Sequence, residues 1–572
     1  MRLGRKNGQE TSNMLKKLTW ALMLTLVLGA AGFFAVGGTS GVALLMVKYV
    51  VRKNYGPPQT IEWQAGPTAV ATHNTGGNLV RRPPNVILIV ADDLGFNDIT
   101  HNGGGLAGGK VPTPNIDSIA SQGADFINGY SANATCAPSR ASLMTGRYAT
   151  RFGFEFTPTP KQFMKLVAGI PDAQQTHPAI YHAERENELI AYENMGLPTK
   201  EITLAKLLQG GGYHSVHLGK WHLGDSPQFR PYNRGFDESL SLLHGGSMYL
   251  PSKDPNVVNS RQDFDTIDKF IWAAEPWGIR FNDREPFQPP KYLTDYLTDE
   301  AVKVVQTNKN RPFFMYLAYN APHTPLQATR EDFDALSFIP DHATRVYAAM
   351  IRNLDRNIGR VLQSLKDQGV DDNTLVIFSS DNGGANYIGV DGINAPYRGW
   401  KATFFEGGIR VPFFMRWPSA IPKGMKVNSA VNHFDIFATA AAAAGLEVPK
   451  DRPIDGVNLL PFAKGKSTGN AHESLFWRTD SYRVMRTNEW KLQVTERPKK
   501  EWLYHLSVDP TERNNLAEKE PAQLASMKAQ LAAWDKQQVK PLWPSLGEGA
   551  VAIDRTLKSP PVPNEDYIYY AN

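Results

Sequence analysis

In Asn85-Val-Ile-Leu-Ile-Val90 the five residues after Asn85 are apolar without a break and rich in β-branched side chains. That is the pattern of a strand covered on both faces in a parallel sheet, where no position alternates toward water. Similar runs recur at 213–218, 312–318 and 374–378, and between them lie amphipathic segments at 292–307 and 342–366. The alternation predicts an α/β fold with a large, mainly parallel central sheet flanked by helices. Toward the end the pattern shortens. Strand candidates at 481–485, 490–494 and 502–506 are separated by turn residues, and 521–538 reads as a helix, so a smaller antiparallel sheet with a closing helix is expected. From Pro541 onward the chain is Pro-rich and is predicted to be irregular. No repeat of solenoid length is present.

Before the first strand the pattern is different again. Leu18 to Val47 contains no charged residue, and about 20 apolar residues suffice to cross a bilayer. Arg2, Arg5, Lys6, Lys16 and Lys17 precede this run, and Lys48, Arg52 and Lys53 follow it, which favours slightly a cytoplasmic N-terminus. The segment reads as a signal anchor holding the body outside the cytoplasm. A cleaved signal peptide, with Gly29, Ala30 and Ala31 as its site, is the competing reading. Arg52 to Pro84 is rich in Gly, Pro, Thr and Asn without apolar period and reads as a tether. The chain thus divides into a cytoplasmic stub and anchor (1–53), a linker (54–84), a catalytic domain (85–465), a C-terminal α+β subdomain (466–545) and a tail (546–572).

Composition narrows the class. A chain of 572 residues exceeds what one core usually organises, in keeping with two globular units. A formal net charge of +5, with no basic run interleaved with aromatics, excludes nucleic acid as the expected partner. With Cys136 as the sole cysteine no intramolecular disulfide exists, and stability rests on packing.

In open α/β sheets ligands bind beyond the carboxyl ends of the strands. Asp92 and Asp93 follow the first strand, Lys220 and His222 end the second, His323 follows the third, and Asp381 and Asn382 follow the fourth. Asp92, Asp93, Asp381 and Asn382 offer only oxygen, which suits Ca²⁺ or Mg²⁺ better than Zn²⁺. Three carboxylates crowded together need a cation, helped by nearby Lys or Arg. In Cys136-Ala-Pro-Ser-Arg140, Pro138 fits the first turn of a helix that Gly146 ends, so Cys136 is expected in a small exposed pocket at a helix N-terminus, with Arg140 about one turn on. Such a place would activate a thiol or stabilise an oxyanion.

These residues resemble a known family. Cys136-Ala-Pro-Ser-Arg140 with Thr145-Gly146, the blocks 219–224 and 321–323, Asp381-Asn-Gly383, Lys401, Trp490-Lys-Leu492, Leu503-Tyr504 and Asp509-Pro510 are similar to the sulfatase pattern, from Asn85 to about Gln538. The resemblance implies an alkaline phosphatase-like fold and a sulfuric ester hydrolase whose Cys136 a maturation enzyme converts to formylglycine. It implies Asp92, Asp93, Cys136, Asp381 and Asn382 as metal ligands, with Ca²⁺ the usual ion and Mg²⁺ second. It implies Lys220, His222, His323 and Lys401 as sulfate-binding and proton-transfer residues, of which Lys220, His323 and Lys401 touch substrate, and Arg140 as the group holding the formylglycine. The substrate class is an aryl or carbohydrate sulfate. A phosphonate or phosphate monoester hydrolase on the same scaffold, or a non-catalytic carbohydrate-binding homologue, are the alternatives. Residues 156–197 form a long insertion with Phe163, Tyr181, His182, Arg185 and Tyr192, which reads either as a plain surface insertion or, together with His244-Gly245-Gly246 and Met248-Tyr249, as a wall of the pocket that selects the alcohol. The sequon at Asn133-Ala134-Thr135 is expected to carry no glycan.

Overall fold

A computed structural model describes residues 55–69, 82–169 and 177–572, with a short backbone pairing of Asn74–Thr75 to Asn78–Leu79. The apolar segment 18–47 lies outside the described residues. Among those described, no helix is long and apolar enough to cross a membrane.

The centre is a nine-stranded sheet in the spatial order 280–281, 238–242, 214–220, 313–318, 85–91, 374–380, 413–416, 124–126, 425–427. Its five inner strands, from 238–242 to 374–380, run parallel. Antiparallel joins at 280–281, 413–416 and 124–126 make the sheet as a whole mixed. Both faces are covered, which explains the unbroken apolar run of the first strand. Ile87 and Ile89 pack with Val304 of the helix Leu293–Asn308 and Ile351 of the helix His342–Asp367. Val86, Leu88 and Val90 face the opposite core, with Ala137 and Ala141 of the helix Cys136–Thr145 and Ile436 of Asp435–Ala443. Because Ala91 pairs with Ser380, Val90 with Ala318, and Ala318 with Gly219, four strands end level with one another. Their carboxyl ends form one short stretch of sheet edge.

The C-terminal sheet is a four-stranded antiparallel meander, Ser474–Thr479, Tyr482–Thr487, Trp490–Glu496 and Lys499–His505, followed by the helix Pro521–Asp535. Its first strand has no counterpart in the pattern reading, because Arg478 and Thr479 break the apolar alternation at the point where both are buried. Trp534 of the helix stacks on Phe476 with ring centroids 4.9 Å apart.

Two expectations are corrected. The tail is not irregular, because Gly547–Ala552 and Tyr567–Ala571 pair as strands and are joined by Ile180–Tyr181 of the insertion. The prolines at 560, 561 and 563 fall in the connection, while Ile568 and Tyr570 point inward with the period of two that a half-covered strand requires. The described part of the tether is not free either. Ile61 is 5% exposed, Trp63 Nε1 donates to Glu300 Oε2 at 2.8 Å, and Trp63 meets the edge of Phe281 at 5.3 Å.

A buried charge group fastens the C-terminal sheet to the catalytic body. Lys491 Nζ lies 2.8 Å from Glu406 Oε1 and 3.0 Å from Glu512 Oε1, all three without solvent exposure. Burial alone would raise both carboxyls. Lys491, Arg410 and Arg486 hold Glu406 down at about 2, whereas burial leaves Glu512 pushed up to about 7. Lys491→Met removes the buried cation that Glu406 and Glu512 share, leaving Glu406 with Arg410 at 3.3 Å, and is expected to destabilise the protein by roughly 3–5 kcal/mol, the cost of breaking one partner out of a buried pair. Urea unfolding of the variant beside the parent measures this, and a loss under about 1 kcal/mol would show that the group does not fasten the two sheets.

Candidate active site

The helix Cys136–Thr145 starts at Thr135, whose extended backbone (φ −135°, ψ 153°) caps it, and stops at Gly146 in the left-handed region (φ 70°). A Cβ at 146 would sit 2.7 Å from the Phe437 ring, so both conformation and space require glycine there. Pro138 occupies the first turn, as expected. Cys136, however, is not in an exposed pocket, being only 3% accessible at the floor of the site. Its Sγ lies 3.4 Å from Asp92 Oδ1, 3.8 Å from Asp93 Oδ1 and 3.3 Å from Lys401 Nζ. Burial, then Asp381 and Asp92, push the thiol well above its ordinary pKa against the pull of Lys220 and Lys401.

All ten sequence-predicted residues meet here. Asp93 adopts φ 62°, turning its carboxylate toward Lys401 Nζ at 2.8 Å. Burial would raise it, but Lys401, His323 and Lys220 together hold it well below the usual carboxylate range. Arg140 donates from Nε to Asp381 Oδ2 at 2.9 Å, with its second nitrogen 2.8 Å from the same oxygen and 3.7 Å from Asp92 Oδ1. It also donates to the Lys220 carbonyl at 3.1 Å. Lys220 Nζ pairs with Asp92 Oδ2. Asn382 donates to Asp93 Oδ1 at 2.7 Å, while its own Oδ1 is buried and accepts no hydrogen bond. An orphaned amide oxygen beside three buried carboxylates fits a hard divalent cation. Ligand atoms of Asp92, Asp93, Cys136 and His323 lie within 4.8 Å of one another.

The histidines face the cluster from the other side. His323 Nδ1 donates to the Thr324 carbonyl at 2.6 Å, leaving Nε2 toward Asp93 Oδ2 at 3.7 Å. Burial and the charges of Lys220 and Lys401 lower its pKa to about 3 despite Asp93. His222, at φ 59°, has a buried Nδ1 without a hydrogen-bond partner. Its enclosure by protein, then Lys220, Arg140 and Lys401, hold the imidazole well below its ordinary value. A Cβ at Gly245 would meet the His222 ring at 2.9 Å, and one at Gly246 would meet His323 at 3.4 Å, so this loop lies flat on both rings.

Pattern reading missed three supports. Tyr387 donates to Asp93 Oδ2 at 2.9 Å and accepts from Lys401 Nζ at 3.0 Å. His433 bridges Ser139 Oγ (3.2 Å) and Ser379 Oγ (2.9 Å), tying the cysteine helix to the strand that delivers Asp381. Tyr316 accepts from Arg140 at 3.2 Å. No short motif marks them, as each is a single polar residue in an unrelated segment. Tyr249 was expected in the pocket wall but is fully buried, donating to the Asn320 and His323 carbonyls from behind, and Met248 is buried likewise. From the insertion, Tyr192 donates to Asp225 Oδ2 at 2.7 Å, the oxygen that also lies 2.8 Å from Nδ1 of His244, the residue before Gly245.

The sulfatase family model matches residues 84–446, and the model described as N-sulphoglucosamine sulphohydrolase, C-terminal, matches 398–537. The chain is similar to N-acetylgalactosamine-6-sulfatase of Mus musculus, 35% identical over 387 residues, which is 66% of each chain and so just under two thirds of that relative. Among solved structures it is similar to Ps i-CgsB in complex with k-i-k-neocarrahexaose, at TM-score 0.66 and 33% identity, covering 81% of this chain and 95% of that one. The phosphonate monoester hydrolase of Agrobacterium radiobacter shares the fold alone, at TM-score 0.55 and 19% identity over 80% of this chain and 96% of that one.

The sequon is closed by the fold. Asn133 is 4% exposed, and its Oδ1 accepts from Tyr570 Oη at 2.6 Å. Peptide mapping of active protein from a glycosylating host is expected to find Asn133 bare, and sugar on this residue would contradict the placement.

Proposed function

The chain belongs to the sulfatase family, and we propose that it hydrolyses the sulfate ester of a saccharide at the Cys136 site, releasing sulfate and an alcohol. The observation that carries the reading is the position of Cys136, fixed at a helix start against Asp92, Asp93 and Lys401, beside the orphaned oxygen of Asn382. A formylglycine at 136, hydrated by one water, would supply one hydroxyl as the nucleophile and a second whose proton loss lets sulfate leave, and a bound cation would supply positive charge beside them. Asp92, Asp93, Asp381, Asn382 and residue 136 would hold that cation. Ca²⁺ suits this all-oxygen set better than Mg²⁺, which demands a tighter octahedron.

The chain's own residues do the rest. Lys220 and Lys401 face the sulfuryl oxygens and offset the charge that builds on them. Arg140 fixes Asp381 and Asp92 so that neither swings away. With Nδ1 held by Thr324, His323 presents only Nε2, and an arriving anionic sulfate raises it toward the protonated form that serves the leaving alcohol. His222, kept neutral with a free Nδ1, accepts the proton when sulfate departs. The saccharide is supported by the name of the mammalian relative and by the carrahexaose in the solved one. The Tyr192–Asp225–His244 chain gives the insertion a route to the alcohol side. A maturation enzyme that oxidises Cys136 is the implied partner, and the apolar segment 18–47 places the body outside the cytoplasm, held at the membrane unless a signal is cleaved near Ala31.

Cys136→Ala is expected to fold normally and to lose at least about 10³-fold in turnover of a small aryl sulfate, since the nucleophile itself is removed. Mass spectrometry of the tryptic peptide spanning residue 136 identifies the native group. An unmodified thiol in fully active protein would end this reading.

Removal of divalent metal by a chelator is expected to abolish turnover, with Ca²⁺ restoring it more fully than Mg²⁺. Activity that persists in chelator, with metal content confirmed as nil by elemental analysis, would exclude the cation.

A further inference from the structure

The last residues of the chain lie beyond both family matches, which end at 446 and 537. They nevertheless reach the segment that delivers Cys136. Tyr570 is 4% exposed on the inward side of the strand Tyr567–Ala571. Its hydroxyl donates to Asn133 Oδ1 at 2.6 Å and lies 3.2 Å from Thr135 Oγ1. Asn133 Oδ1 also accepts from the Thr135 backbone N–H at 3.3 Å. Thr135 is the cap of the cysteine helix, and a cap threonine ordinarily turns its hydroxyl onto the first-turn amides. Here it makes no such bond. The cap is held instead from outside the helix, by Asn133 and by a residue more than four hundred positions away.

The same segment also grips the opposite wall of the site. Leu557 N–H donates to the Asn386 carbonyl at 3.1 Å, one residue before Tyr387. Arg398, three residues before Lys401, pairs with Asp554 at 2.6 Å and Asp566 at 2.7 Å. One strap therefore spans the two loops whose side chains meet at Asp93. We propose that Tyr570 is a positioning residue for the group at 136, setting the helix cap so that residue 136 stays within reach of Asp92, Asp93 and Lys401. The inference rests on the reading of residue 136 as the nucleophile.

The test compares Tyr570→Phe with Tyr569→Phe in the full-length protein. Both delete one hydroxyl from the same strand, but Tyr569 faces outward and donates to the Pro178 carbonyl at 2.9 Å, away from the cap. Turnover of an aryl sulfate is measured as kcat and KM, with kcat divided by the formylglycine content found by mass spectrometry and thermal midpoints recorded alongside. Tyr570→Phe is expected to lower kcat per converted residue by about tenfold or more, because a small misplacement of a reacting group is costly. KM should stay within about twofold, since uniform binding is not touched. Tyr569→Phe should match the parent. Asn133→Ala removes the acceptor instead of the donor, and the Asn133→Ala/Tyr570→Phe double variant should lose little more than either single one. Three results would overturn the inference: parental kcat in Tyr570→Phe, equal losses in the two tyrosine variants in step with their midpoints, or additive losses in the double variant. A parent protein that turns over no sulfate ester would overturn the functional reading, and this inference with it.

Discussion

Three carboxylates out of contact with water repel one another strongly unless positive charge stands between them, and this site is arranged around that constraint. Asp92, Asp93 and Asp381 are each fully or almost fully buried. Lys220 answers the first, Lys401 the second and Arg140 the third. Three negative charges against three positive ones leave the cluster balanced. A divalent cation added to a balanced cluster would make it electropositive, which is the condition for drawing an anion into a place where a carboxylate trio alone would expel it.

Such a balance requires every group to be delivered to one place, and a parallel sheet does this with little sequence information. Residues that follow four level strands are neighbours whatever separates them along the chain. Asp92 and Asp381 are 289 positions apart in the numbering, yet the pairing of Ala91 with Ser380 makes their meeting a consequence of register. The polypeptide between strands is then free to supply walls, helices and insertions.

This also explains what was legible in the sequence. The sheet was legible because a strand covered on both faces must be apolar along its covered length, and 86–90 is. The charged residues were legible because they stand at strand ends and fall into short motifs. Tyr387 and His433 were not, for each acts through one hydrogen-bond geometry that no spacing announces. The strand Ser474–Thr479 was hidden by Arg478, a charge that belongs inside because Glu155 is there to receive it at 2.6 Å. Cys136 is buried, not exposed, because the N-terminus of its helix opens on the carboxylate cluster and not on solvent. Roles of the individual residues stand on resemblance and placement together.

The tail was misread for an instructive reason. Its prolines suggest a loop, but they fall at 541 and 544 and in the connection at 560–563, not within the two strands. What fixes those strands is partner availability. Ile180–Tyr181 of the insertion offers an edge, and the buried pocket around Asn133 offers a hydrogen-bond acceptor for Tyr570. Neither partner can be seen from the tail's own residues, so local pattern favours a loop where tertiary contact makes a sheet. An insertion and a tail that are separately unremarkable thus become one layer beside the site. In such a layer a change in either segment is transmitted to the other through main-chain pairing, and then to the cap of the cysteine helix.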